Sequence, residues 1–222
     1  MKTRITSLVA LVASLVAASA ATNYAIQPVL HPGTEKRHES FNVISKQGEA
    51  QLVFLGDSIT HGWDGKGKAV WEKTWAPLKA ANFGIGGDRT QHVLWRLEHL
   101  PKPKKDPKGA VLLIGTNNIG WGSDTPKQAA DGIQAIVHKL QQLYPTTKIL
   151  VLAVFPRRAE PDHKFRKQIN EINSLLPDLL KDLKNVSLLD IGPKFLDEKG
   201  VLSKEIAPDS THLSEKGFEI WT

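Results

Sequence analysis

Four short groups of residues along this chain have the types and order needed for one acyl-transfer site. Ser58 stands in Gly56-Asp57-Ser58, directly after an apolar run. A serine there is a nucleophile only if a base takes its proton and a third group orients that base. Asp209-Ser210-Thr211-His212 offers both. A carboxylate three residues before an imidazole can hold Nδ1–H and leave Nε2 to accept from a hydroxyl. Asn82-Phe83-Gly84-Ile85-Gly86-Gly87-Asp88 lets the backbone turn sharply and expose N–H groups, as an oxyanion hole or a phosphate loop requires. Gly115-Thr116-Asn117-Asn118 supplies a side-chain amide able to donate into an anionic pocket.

Each group alone also fits a plain structural role. Gly-Asp-Ser suits a helix cap, the glycines a tight loop, the asparagine a turn, and Asp-x-x-His a surface turn ahead of a helix beginning near Ser214. The Gly-x-Ser-x-Gly nucleophile elbow is absent, because Thr60 takes the place of its second glycine. The glycine loop lacks Gly-x-Gly-x-x-Gly spacing and an acidic ribose partner after it, so it is a poor dinucleotide fingerprint.

The elements that must position these groups alternate along the chain. Compact apolar runs at Leu52–Leu55, Ala110–Ile114, Ile149–Phe155 and Val186–Ile191 end in small or polar residues, and Ala81–Phe83 is a fifth, shorter candidate. Amphipathic stretches at Gln91–Leu100, Pro126–Leu143 and His163–Leu183 lie between them, with a short helix expected at Lys36–Gln47. Asp124-Thr125-Pro126 is a good helix start, and Pro145 lies just beyond that helix's end. Continuous Val/Ile/Leu strands alternating with helices predict a parallel sheet in a three-layer α/β/α domain. Ligands bind such sheets at the carboxyl ends of the strands, where all four groups would be delivered.

Taken together, the four groups resemble the SGNH hydrolases, also called the GDSL esterase family. Asn82–Leu97 and Gly115–Asn118 are similar to the catalytic subunits of platelet-activating factor acetylhydrolase and their secreted bacterial relatives. The resemblance runs from about Lys36 to the end. It implies a flavodoxin-like five-stranded parallel sheet of order 2-1-3-4-5. It also implies Ser58 as nucleophile, His212 as general base and Asp209 as its orienter. The Ser58 and Gly87 N–H groups and the Asn117 amide would form the oxyanion hole, with no metal and no cofactor. Relatives finish on a longer C-terminal helix, whereas this sequence stops at Thr222, so a truncated C-terminus is an expectation that would weaken the anchoring of Asp209 and His212.

Composition closes other routes. The 222 residues are 41% hydrophobic and contain no cysteine, which removes disulfides, thiolate metal sites, a thiol nucleophile and a thiol-linked lipid anchor. No Cys/Ser-x-Pro-x-Arg sequence is present for formylglycine chemistry. A net charge of +6 is too modest to imply nucleic acid. Lys2 and Arg4, the apolar Leu8–Ala18 and Ala18-Ser19-Ala20 read as a signal peptide over 1–20, too short for a membrane anchor. Residues 21–35 read as an N-terminal arm or linker and 36–222 as the hydrolase domain.

Ile59, Thr116 and Thr211 adjoin the candidate catalytic residues and are expected to wall a small acyl site. Trp63 and Trp121 follow the first and third groups and either border the cleft or cover the loop bases. Trp71, Trp75 and Trp95 are expected in the core. The leading expectation is an exported serine esterase removing short acyl groups, acetyl above all, from a small-molecule or glycan ester. The alternatives are a phospholipid acetylhydrolase or lysophospholipase and, from another class, an inactive carbohydrate-binding module on the same fold.

Overall fold

A computed structural model describes residues 22–122 and 124–222. In chain order its elements are α1 (Glu35–Gln47), β1 (Leu52–Gly56), α2 (Ser58–His61), α3 (Lys68–Thr74), β2 (Ala80–Gly84), α4 (Thr90–Glu98), β3 (Gly109–Leu113), α5 (Thr116–Gly120), α6 (Pro126–Leu143), β4 (Lys148–Leu152), α7 (Lys164–Leu180), β5 (Val186–Leu189) and α8 (Glu215–Trp221). The strands form one sheet in the order β2-β1-β3-β4-β5, every pair parallel, as the alternating pattern predicts. The first described residues precede α1, so the signal reading of 1–20 falls outside the described residues.

Alternation along each strand divides the core in two. Val53 and Leu55 face one layer with Leu112, Ile136, Leu140 and Ile172, while Phe54 and Leu113 face the other with Trp63, Phe155, Phe218 and Trp221. Between these layers Gly56 is in register with both Gly84 and Leu113, so three strands end level. Ser58, the glycine loop and Asn117 therefore leave the sheet along one edge.

Local chemistry sets most boundaries. Thr125 and Gln128 cap the start of α6 reciprocally and Pro126 fills its first turn. The β4 run was expected to reach Phe155, but its ladder stops at Leu152 and the still-buried Ala153–Phe155 continue unpaired with β3, which has already turned away at Gly115 (φ 127°). β5 ends at Leu189, short of the expected Ile191, because the Asp190 carboxylate accepts from the Gly192 N–H at 2.8 Å and turns the chain.

Both ends of the described chain are held by packing. A short turn at Tyr24–Ile26 lies against α4 and α6, with Ala25 fully buried and its carbonyl accepting from Thr90 Oγ1 at 2.8 Å. α8 has only seven residues, too few to be stable alone, but Phe218 and Trp221 press it onto Trp63 (ring centroids 4.4 and 5.1 Å). Among the described residues no helix is long and apolar enough to cross a membrane.

The arm's contact with α6 yields a test. A Cβ on Gly132 would come within 2.6 Å of Thr90 Cβ and 2.9 Å of the Ala25 carbonyl. Gly132→Ala is therefore expected to destabilise the protein by about 1–3 kcal/mol in urea unfolding, against the ~1 kcal/mol that helix propensity alone would add. An unchanged or raised midpoint would contradict this packing.

Candidate active site

Ser58 opens α2, and Asp57 before it caps that turn by accepting from the Ile59 N–H at 2.9 Å. As the first residue of a helix, Ser58 has an N–H with no helical acceptor, free to point at a ligand. Its hydroxyl donates to His212 Nε2 at 2.7 Å. On the other side of that ring, Nδ1 donates to Asp209 Oδ2 at 2.6 Å. The turn carrying this pair is self-braced: Asp209 Oδ1 accepts from the backbone N–H groups of Thr211 (3.0 Å) and His212 (2.7 Å), with Ser210 between them at φ 59°. The Ser210 carbonyl also accepts from the Arg158 N–H, tying the turn to the segment after β4. Partial burial works to raise the Asp209 carboxyl, but the hydrogen bonds from the His212 ring and backbone outweigh it and hold it below the usual range.

The glycine loop after β2 is pinned at each step. The Gly84 carbonyl accepts from Arg37 Nε at 2.7 Å, and the Ile85 N–H donates to the Gly56 carbonyl at 3.1 Å. The Gly86 N–H donates to His61 Nδ1 at 3.3 Å. Burial, helped by the Arg37 guanidinium, pulls His61 below its ordinary value, which suits a neutral acceptor. Gly87 takes φ +80°, a left-handed conformation natural to glycine. Asp88 is fully buried and held by Arg96 through Nε (2.6 Å) and a terminal nitrogen (2.8 Å), while His31 Nδ1 donates to its Oδ1 at 2.9 Å.

Asn117 reaches the same place from α5. Its amide donates to the Asp88 carbonyl at 3.0 Å, which leaves the second N–H of that nitrogen for another acceptor. Asn118 turns the other way, accepting from the Thr90 N–H and donating to Asp124 at 2.9 Å, so it is a brace between α4 and the loop after α5.

Of the candidates read from sequence, Ser58, Asp209, His212, Gly87 and Asn117 converge on this edge. Ile59 and Thr116 are buried beside Ser58 and Asn117, and Thr211 is partly exposed beside His212. Trp121 is 69% exposed. Trp63 is a correction: at 1% exposure it does not border the cleft but fills the second core, tilted against Trp71 and Phe218. The groups missed were Asp88, Arg96, His31 and His61. Only His61 carried a local signal, lying three residues from Ser58 on one helical turn.

His31, Asp88 and His92 bring ligand-type atoms within 4.8 Å of one another. The donor set fits a cation badly, since Arg96 already neutralises Asp88 and His92 Nδ1 accepts from the Arg89 N–H at 3.1 Å. Burial pulls the His92 imidazole down to about 4.

What the whole arrangement can do chemically is acyl transfer. The hydroxyl can lose its proton to the ring it already touches, and N–H donors from three strand ends can meet a developing oxyanion.

The GDSL-like lipase/acylhydrolase family model matches residues 54–220. The rat platelet-activating factor acetylhydrolase IB subunit alpha1 is 37% identical over 184 residues, 82% of this chain and 75% of the relative. Among solved structures, a GDSL-like lipase from Bacteroides thetaiotaomicron is similar at a TM-score of 0.66 and 19% identity, covering 84% of this chain and 92% of that one. An acetylxylan esterase from Geobacillus stearothermophilus aligns with a TM-score of 0.60 at 18% identity over 79% and 92% of the two chains. These two structural likenesses concern the fold.

Asp57 gives a pH test. Its Oδ2 is buried without a hydrogen-bond partner among the described residues, and burial, reinforced by the Asp88 carboxylate, pushes the group up to about 7. A carboxyl raised from 3.8 stabilises the folded state below that value, and the contribution is lost as pH rises through about 7. Asp57→Asn keeps an acceptor for Ile59. Between about pH 5 and pH 8 the wild type should lose roughly 1–3 kcal/mol relative to the variant in urea unfolding. Parallel pH profiles would contradict the buried, proton-binding carboxyl.

Proposed function

The chain belongs to the GDSL-like lipase/acylhydrolase family and is an ester-hydrolysing enzyme; from that premise we propose that it is exported and removes short acyl groups, acetyl above all, from carbohydrate or similar extracellular esters. The observation that carries the proposal is the continuous contact from Asp209 through His212 to Ser58, at 2.6 and 2.7 Å.

In the proposed reaction Ser58 Oγ attacks the ester carbonyl carbon as its proton passes to His212 Nε2. The carbonyl oxygen becomes an oxyanion, accepted by the N–H groups of Ser58 and Gly87 and by the free N–H of the Asn117 amide. Collapse breaks the bond to the alcohol, which takes the proton from His212, and leaves an acyl group on Ser58. Water, deprotonated by His212, then attacks that acyl-enzyme, releases the acid and restores the serine. Asp209 holds the ring in one tautomer and stabilises the imidazolium at each step.

A short acyl group is favoured by what adjoins the reacting atoms. Ile59 and Thr116, buried beside Ser58 and Asn117, and Thr211, next to His212, are the proposed walls of a small acyl site. Trp121, exposed just after α5, offers a flat apolar surface suited to the face of a sugar ring. The acetylxylan esterase on a similar fold is consistent with such a substrate. Export rests on the positive, apolar and Ala-x-Ala character of residues 1–20. The identity to platelet-activating factor acetylhydrolase subunits favours a second reading, deacetylation of a phospholipid.

Ser58→Ala should abolish hydrolysis of p-nitrophenyl acetate; turnover retained by the pure variant would sink the assignment. Activity should fall steeply as the acyl group lengthens beyond acetyl. Trp121→Ala should cut kcat/KM on acetylated xylo-oligosaccharides roughly tenfold while sparing p-nitrophenyl acetate. Faster turnover of an acetylated phospholipid than of any acetylated glycan would instead select the second reading.

A further inference from the structure

We infer that His31, on the arm ahead of α1, is a positioning residue of the oxyanion hole. The inference rests on the esterase reading of Ser58, Gly87 and Asn117. It concerns a residue outside the segment 54–220 that the family model matches.

Two contacts place His31 against the hole. Its Nδ1–H donates to Asp88 Oδ1 at 2.9 Å, completing the coordination of a carboxylate that Arg96 grips from the other side. Its Cε1 lies 2.9 Å from where a Cβ on Gly87 would sit, so the ring packs against the Cα of the residue that is to donate. The ring is not free to swing away. It stacks on His92 (centroids 4.6 Å apart, 19° between planes), and the His31 carbonyl accepts from Thr34 Oγ1 at 2.6 Å. Thr34 Oγ1 in turn accepts from Arg96 at 2.8 Å. Arm, ion pair and loop are thus one connected hydrogen-bonded unit.

The need for such a wall follows from Gly87 itself. At φ +80° glycine is comfortable, but it is equally comfortable elsewhere, so its own backbone does not hold the N–H in one direction. A ring packed against its Cα and a fixed Asp88 after it restrict that freedom. The oxyanion exists only in the transition state and the tetrahedral intermediate. Loosening the donor should therefore lower kcat and leave KM nearly alone.

The test compares wild type, His31→Ala, His31→Asn and Tyr24→Ala, the last an exposed position on the same arm, on p-nitrophenyl acetate. His31→Ala should lower kcat about 10- to 100-fold with KM within about twofold, and raise Ki for a trifluoromethyl ketone by a similar factor, because that inhibitor presents an oxyanion to the hole. His31→Asn, whose amide can donate where Nδ1 does, should recover much of the loss. Tyr24→Ala should match wild type. A kcat of His31→Ala within twofold of wild type, a loss carried by KM, no recovery in His31→Asn, or an equal loss in Tyr24→Ala would each overturn the inference. Should His31→Ala fail to fold, His31→Leu, which fills the space but cannot donate to Asp88, takes its place: a parallel decline in kcat and ketone affinity supports the role, and an unchanged kcat or a decline in kcat alone overturns it. A wild type that hydrolyses no ester would sink the esterase reading separately. Amide exchange at Asp88, whose N–H donates to the Ile85 carbonyl at 3.2 Å, would still test the clamp: faster exchange in the histidine variants supports it and unchanged exchange overturns it.

Discussion

The site depends on one buried ion pair, Asp88 with Arg96. An isolated carboxylate with no exposure would be too costly to keep charged, and a guanidinium paired with it through two nitrogens at 2.6 and 2.8 Å is the geometry that makes burial tolerable. What the pair provides is placement more than stability. Arg96 is fixed on α4, so Asp88 is fixed to α4. The Asp88 main chain then carries Gly87 on one side and accepts the Asn117 amide on the other. The Gly87 N–H and the Asn117 amide, two of the three donors proposed for the oxyanion, thus derive their positions from a single carboxylate.

Two aspartates near Ser58 show how environment separates like groups. Asp57, adjacent in sequence, is buried with one oxygen unpartnered and is pushed up to about 7. Asp209, distant in sequence, sits at an exposed turn where three hydrogen bonds from Thr211 and His212 hold it charged. Only the second can stabilise an imidazolium. The first serves the backbone, capping the turn that presents the serine. Proximity to Ser58 in sequence is therefore a poor guide to which carboxylate meets the His212 ring.

Much of this architecture is legible in the sequence. The strands announced themselves as uninterrupted Val/Ile/Leu runs because both of their faces are covered, and the sheet order followed from the resemblance. Ser58, Gly87 and Asn117 stand out as distinctive residues after β1, β2 and β3, whereas Asp209 and His212 lie well beyond β5 and are singled out by the Asp-x-x-His spacing and the family resemblance. Trp63 was ambiguous for a physical reason: it follows the nucleophile closely, but the 3₁₀ turn at Gly62–Asp64 rotates its indole inward to meet Phe218 from α8. His31 was invisible because it lies in an aperiodic stretch and meets Asp88 across 57 residues, a contact no local pattern encodes. Asp88 itself passed as part of a glycine turn, since nothing in its spacing to Arg96 distinguishes a buried pair from two solvated charges.

The hydroxyl of Ser58 and the imidazole of His212 touch across 154 positions. While a ribosome is still extending the polypeptide, the serine therefore emerges long before anything that could activate it. Every intermediate length carries an unarmed alcohol, and competence arrives at once, when the segment after β5 docks beside α2. The proposed relay is thus a property of the finished fold and of no shorter piece of it.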